Sequence, residues 1–296
     1  MRRGLISILC ICCALPLLSS CDHPAKPTIV IGSKFFTEQV ILAELIAQHI
    51  EAKTGITVER KTNLGGTLLV HKAMQSGDLD LYVEYTGTAL TAVLNETPGN
   101  DDAATIYRRV KQAYAQRFQM EVTEPLGFEN TFAMVIRRDD AARYNLRCIS
   151  DITPLAPKWR IGVGYEFEER ADGFRGLSER YSLHFAAPPT VMDLGLIYRA
   201  LANKKVDIVA GNSTDGLIDA LHLVALEDDG HFFPPYDAVP IVRRSTLASF
   251  PQLRAALADL AGKLTAADMR HLNYEVDADQ GDPATVVRAF RQSKGL

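Results

Sequence analysis

Leu79-Asp-Leu-Tyr-Val-Glu-Tyr-Thr-Gly-Thr88 reads as an apolar, aromatic-rich strand that passes directly into a hydroxyl-and-glycine turn. The residues from 86 to 94 continue it as a helix. Upstream, Thr28-Ile-Val-Ile-Gly32 is a short β-branched strand, and residues 37–53 put Val40, Ile41, Leu45, Ala47 and Ile50 near one face of a helix begun by Thr37 and Glu38. A strand at 56–61 and a helix at 66–75 lie between the two. Strand-helix alternation of this kind implies an α/β fold with a mainly parallel sheet and helices on both faces. Ligands bind such sheets beyond the carboxyl ends of the strands, where Gly32-Ser33-Lys34, Tyr85-Thr86-Gly87-Thr88 and Gly211-Asn212-Ser213-Thr214 all fall.

After an amphipathic helix at 103–118, the turn Glu124-Pro-Leu-Gly127 leads into a strand at 131–136 that looks like the crossing into a second lobe. The second half repeats the design, with strands at 160–164 and 206–210 and a helix at 191–203 between them. Pro234-Pro235-Tyr236 interrupts all regular structure. A strand at 238–242 and helices at 250–264, 266–276 and 283–292 follow, and the chain is expected to cross back there. The expected division is residues 28–128 with 237–296 as lobe 1 and residues 129–236 as lobe 2, with a ligand cleft between them.

Residues 1–20 read as an export signal: Arg2 and Arg3 form a basic start, an apolar run extends from Leu5 to Leu18, and Ser19 and Ser20 precede Cys21. Leu18-Ser-Ser-Cys21 resembles the bacterial lipoprotein cleavage box, which implies lipidation of Cys21, a tether over 21–27 and a cell-membrane lipoprotein facing the periplasm or exterior. Asp22 after that cysteine resembles the inner-membrane retention signal of some Gram-negative bacteria. From residue 21 onward the chain carries 30 basic and 36 acidic residues, with no basic run to follow a phosphate backbone, so nucleic acid is excluded as a partner. Of five cysteines only Cys148 lies beyond the signal and its box, so the fold rests on no intrachain disulfide.

The turn after the Tyr85 strand suits a small polar ligand. Tyr85 offers a π face to a cation, and Thr86, Thr88 and the following helix N-terminus suit an anion. Catalysis is not expected. Gly211-Asn-Ser-Thr-Asp-Gly216 lacks the Gly-x-Ser-x-Gly spacing of a nucleophile turn, the seven histidines are scattered without metal-ligand spacing, and Glu227-Asp-Asp-Gly230 lacks the alternation of a calcium loop. No Gly-x-x-x-x-Gly-Lys-Ser/Thr loop is present, so no nucleotide cofactor is expected and any transport energy comes from separate ATPase subunits. Taken singly, Lys34 and Arg170 read as solvated charges, and Asn212 and Thr214 as caps of the next helix.

Seven segments in order change that weighting: Ile31-Gly-Ser-Lys-Phe-Phe-Thr-Glu-Gln39, Leu64-Gly-Gly-Thr67, Gly77 to Thr88, Glu129-Asn-Thr-Phe-Ala133, Tyr165-Glu-Phe-Glu-Glu-Arg-Ala-Asp-Gly173, Ser213-Thr-Asp-Gly216 and His231-Phe-Phe-Pro-Pro-Tyr236. Together they resemble the substrate-binding proteins of osmoprotectant ABC importers. The resemblance implies a two-lobed periplasmic-binding-protein-like fold of type II, a monomer that captures glycine betaine, choline, carnitine or a similar zwitterionic or cationic solute and delivers it to an ABC permease. It implies an aromatic cage drawing on Tyr85, Phe132 and Tyr236, with Lys34, Thr88 and Arg170 holding a carboxylate and Thr67 and Asn130 as secondary polar contacts. Members of that family often carry tyrosine where Phe132 and Asn212 stand, so Asn212 removes a cage wall or supplies an amide to a ligand with a further polar group. A sensory binding module and an amino-acid receptor of the same fold remain alternatives. On the cage reading, Tyr85→Ala and Tyr236→Ala weaken binding in a calorimetric titration while leaving thermal stability nearly intact.

Overall fold

A computed structural model describes residues 28–296, so the export signal, the tether and the Cys21 lipidation site lie outside the described residues. Ten strands form two five-stranded sheets. The first holds β1 (Thr28–Gly32), β2 (Thr57–Lys61), β3 (Leu81–Tyr85), β4 (Met120–Val122) and β10 (Ala238–Arg243), in the order β2-β1-β3-β10-β4. The second holds β5 (Phe132–Arg137), β6 (Ile161–Val163), β7 (Thr190–Val191), β8 (Ile208–Asn212) and β9 (Leu223–Ala225), in the order β7-β6-β8-β5-β9.

Each sheet is mainly parallel, as the alternation implies, and the exception is the same in both. β1 pairs in parallel with β2 and β3, whereas β10 runs antiparallel to β3 and β4. In the second sheet β6 pairs in parallel with β7 and β8, and β5 runs antiparallel to β8 and β9. The reversed strand is in each case the first one after the chain crosses between sheets. The two crossings run side by side, with an antiparallel bridge between Glu129 and Asp237 and a 3.1 Å hydrogen bond from Asn130 N to the Tyr236 carbonyl.

Alternation along the strands feeds a core on each face of each sheet. Leu81, Val83 and Tyr85 point into one core with Ile29 and Ile31, while Tyr82 points into the other with Val239 and Ile241. Met134 and Ile136 separate from Ala133 and Val135 in the same way. The helix Thr37–Thr54 ends at Gly55 and the helix Thr67–Ser76 at Gly77, both left-handed with φ of 71° and 88°, the conformation a helix C-terminus uses to satisfy its last carbonyls. The C-terminal helices Ala266–Asp277 and Pro283–Lys294 pack on Thr37–Thr54, so the end of the chain completes the first sheet's body.

Two helices depart from expectation. The helix expected over 250–264 is shorter, Leu253–Ala258, and an unexpected helix, Arg244–Ser249, precedes it, with Pro251, which supplies no N–H, at the junction. The helix after Tyr85 is α-helical only over Thr86–Thr88 and then a π-helix over Ala89–Val93. No described helix is long and apolar enough to cross a membrane.

His71 is buried, edge-on to Phe118 and Tyr114 with ring centroids 4.5 and 5.5 Å away, and neither ring nitrogen has a hydrogen-bond partner. Burial drives its pKa down to about 4 from 6.5. As pH falls, the unfolded chain therefore binds this proton first, and the folded state loses stability between about pH 6.5 and 4. Urea unfolding at about pH 7.5 and about pH 5 should show a lower midpoint at the acid value, and a smaller drop for His71→Phe.

Candidate functional site

The cleft between the two lobes is lined from both sides, by Lys34, Tyr85 and Thr88 on the first lobe and by Phe132, Glu166 and Arg170 on the second. Four carboxylates, Glu38, Glu84, Glu166 and Asp172, and two cations, Lys34 and Arg170, at or behind its walls organise it.

The turn after β1 carries Lys34, whose side chain is essentially inaccessible. Its ammonium forms an ion pair with Glu84 in β3, donates to Thr67 Oγ1 at 3.0 Å and stands 5.2 Å from the centre of the Tyr85 ring. Every residue of β3 is buried, so Glu84 needs that partner. Burial pushes the Glu84 carboxyl up and Lys34 pulls it back.

Glu38, in the first turn of the helix Thr37–Thr54, is 1% exposed. One oxygen accepts from Tyr85 OH at 2.6 Å and Asn130 Nδ2 at 2.8 Å; the other accepts from Thr214 Oγ1 at 2.5 Å and Asn273 Nδ2 at 3.0 Å. Burial raises its pKa, and the four hydrogen bonds oppose the rise.

On the second lobe, Arg170 Nε and Nη2 donate to the two oxygens of Asp172 at 2.8 and 2.6 Å, and Nη1 reaches across to Thr88 Oγ1 at 3.2 Å. The guanidinium lies 5.0 Å from the centre of the Phe132 ring. Asp172 also accepts from Tyr236 OH at 2.6 Å and Thr91 Oγ1 at 2.8 Å. Burial opposes ionisation of Asp172, but Arg170 and these hydroxyls hold it below the usual carboxylate range. Glycine at 87 makes this packing possible: a Cβ there would lie 2.6 Å from the Tyr236 ring. Glu166 accepts from Thr67 N at 2.7 Å, again between lobes; burial resists its ionisation, yet Lys34 and Arg170 bring its pKa below the usual value.

Eight of the nine ligand-contact residues expected from sequence line this cleft: Lys34, Tyr85, Thr88, Asn130, Phe132, Arg170, Asn212 and Tyr236. Thr67 stands behind Lys34 and lines a neighbouring groove. Seven aromatic residues contribute to the wall, since Phe35, Phe36, Tyr165 and Phe167 join the three expected ones. All four lie in the matched segments, but strand and helix patterning gave no reason to separate them from core residues. Glu38, Glu166 and Asp172 were likewise unmarked. Thr214 and Asn212 cap no helix: the Thr214 hydroxyl bonds Glu38, and Asn212 Nδ2 lies 3.3 Å from Asp215 Oδ2. Tyr85 and Tyr236 are 4% and 2% exposed, so truncating either to alanine removes a buried ring and costs stability, contrary to expectation.

Two α/β lobes, each with one reversed crossing strand, closed on an aromatic and charge-lined cleft define a solute-binding protein. The family model for the substrate-binding domain of ABC-type glycine betaine transport systems matches residues 27–293, and the chain belongs to that family. It is 37% identical over 296 residues to a carnitine transport binding protein of Listeria monocytogenes, covering 98% of this chain and 95% of that one. It is 34% identical over 302 residues to a glycine-betaine-binding protein of Pseudomonas aeruginosa, covering 99% and 95%. Its fold superposes on the crystal structure of a glycine betaine/carnitine/choline ABC transporter protein with a TM-score of 0.75 at 32% identity, covering 90% of this chain and 98% of that one. The family is one of transport receptors facing outside the cytoplasm, which bind small solutes and work with a permease; it is not an enzyme family.

Glu38→Ala leaves four buried donors without their acceptor. It should lower unfolding free energy by at least about 2 kcal/mol, read by urea denaturation, with Thr214→Val costing less because only one donor is lost. An unchanged midpoint for Glu38→Ala would show that the carboxylate does not hold these segments together.

Proposed function

We propose that this protein captures a quaternary ammonium osmoprotectant, such as glycine betaine, choline or carnitine, and delivers it to an ABC permease without altering it. The observation that carries this reading is the seven-aromatic wall of a cleft shared by both lobes. A trimethylammonium group donates no N–H hydrogen bond and is weakly hydrated, so ring faces recognise it better than polar groups do. The relatives named for carnitine and glycine betaine support the same class.

Closure is the proposed signal to the permease. Thr67 N to Glu166, Arg170 to Thr88 and Thr214 to Glu38 all span the cleft, so the conformation seen is one in which the lobes are in contact. A solute bridging the same walls stabilises that state relative to the open one. We place the lobe boundaries at 28–128 with 237–296 and at 129–236, which the sheet memberships support. We also propose that the protein acts as a monomer held to the membrane through Cys21.

Calorimetric titration of glycine betaine, choline and carnitine into refolded protein tests the class, with primary-amine amino acids as the competing outcome. Within it, Tyr85→Phe and Tyr85→Leu both lose the hydroxyl to Glu38, but only the second loses the π face. Tyr85→Leu should bind roughly 3- to 30-fold more weakly than Tyr85→Phe. Equal affinities would remove Tyr85 from the cage.

A further inference from the structure

The balance of charge in the cleft bears on which quaternary ammonium it takes. We infer that the site prefers a cation bearing a hydroxyl and no carboxylate, an amino-alcohol such as choline, over a zwitterionic betaine; the inference rests on the quaternary ammonium reading above.

Among the described residues, Lys34 and Arg170 are the only lysine or arginine lining the cleft, and each is already paired with a carboxylate. Lys34 spends two of its three N–H groups on Glu84 and Thr67. Arg170 spends four of its five on Asp172, Thr88 and Thr91. Each cation is thus matched by a carboxylate of its own before any ligand arrives. Glu166 is a further carboxylate on the same wall, and no cation lies within ion-pair distance of it among the described residues. Counting Glu84, Asp172 and Glu166 against Lys34 and Arg170, the site holds an excess of one negative charge, and of two when Glu38 is ionised. A ligand carboxylate finds at most one unused N–H on each cation, both already neutralised, and adds a further negative charge to a site where it faces Glu166. A ligand with positive charge alone completes the balance. The two cations already near the Tyr85 and Phe132 rings do not exclude it, because each is neutralised by its own carboxylate.

Asn130 supplies a second, independent observation. It is 6% exposed and lines the cleft; its Nδ2 is bound to Glu38, but its carbonyl oxygen accepts no hydrogen bond. A buried acceptor left alone calls for a donor. Glycine betaine has no N–H or O–H to give, whereas a hydroxyl on the ligand does.

The test is calorimetry on the wild-type protein with choline, glycine betaine, carnitine and tetramethylammonium, which between them carry each combination of hydroxyl and carboxylate. Choline should bind at least about tenfold more tightly than glycine betaine, with tetramethylammonium weaker than choline. Glu166→Gln keeps an acceptor for Thr67 N and removes the charge, so it should weaken choline several-fold and shrink the choline preference. Glycine betaine binding as tightly as choline overturns the inference while leaving the quaternary ammonium class intact. An unchanged preference in folded Glu166→Gln also overturns it. Failure of all four ligands with folded protein overturns the class itself and this inference with it.

Discussion

A carboxylate taken wholly out of water persists only where hydrogen bonds replace its hydration, and Glu38 has four. Their sources are the end of β3, the outgoing crossing, the turn after β8 and the helix Ala266–Asp277. Two come from amide nitrogens, which can only donate, and two from hydroxyls, which can turn. The ionised form therefore satisfies every partner as it stands; a neutral carboxyl would require one hydroxyl to reverse. Burial raises the pKa, yet the donor set is built for the anion. Through this one group the orientation of the Tyr85 ring is tied to the seating of the second lobe.

The ion pairs and the hydrogen bonds divide the work between them. Lys34 with Glu84, and Arg170 with Asp172, are each formed within a single lobe. What crosses the cleft is hydrogen bonding: Thr67 N to Glu166, Arg170 to Thr88, Thr91 to Asp172 and Thr214 to Glu38. Separating the lobes thus strips no buried charge of its counter-charge, which would be the expensive event. The bonds that do break each have one charged partner, a kind worth about 1.5–3 kcal/mol net, and water can rehydrate both ends. A receptor that must both close on solute and release it is served by that arrangement, since closure stays within reach of a ligand's binding energy.

The strand-helix alternation was legible because β-branched runs and apolar helix faces repeat, and placing Lys34, Tyr85 and Asn212 at or just beyond the carboxyl ends of strands followed from it. Elements of two or three residues, such as β4, β7 and β9, leave no periodicity to read. Glu38 was invisible for a different reason: an acid in a helix's first turn is already explained by the helix dipole, so nothing marks it as a tertiary hub. Lys34 and Arg170 were expected to hold a ligand carboxylate, but their partners Glu84 and Asp172 lie fifty and two residues away and only the fold shows both pairs buried. The π-helix over Ala89–Val93 was equally unforeseen, because residues 86–94 fit an ordinary helix; it carries Thr91, whose hydroxyl meets Asp172.

The two lobes also use glycine alike. In the first, Gly87 just beyond β3 lets the Tyr236 ring lie against the backbone; in the second, Gly211 in β8 does the same for Tyr198, whose hydroxyl would sit 1.8 Å from a Cβ there. The outcomes differ. Tyr236 faces the cleft and anchors on Asp172, whereas Tyr198, on the helix Leu194–Ala202, packs against β8, accepts from Asn212 N at 3.0 Å and binds Asp215. Burial pushes the Asp215 carboxyl up to about 7, and its hydrogen bonds to Tyr198 and Asn212 N counter that rise. Asn212 is therefore held from behind at its backbone, and its amide nitrogen is turned toward Asp215. A larger side chain at that position would keep the backbone bonds and extend into the cleft from the same anchored point, so the space beside Asn212 reflects the residue chosen there and not a distortion of the strand.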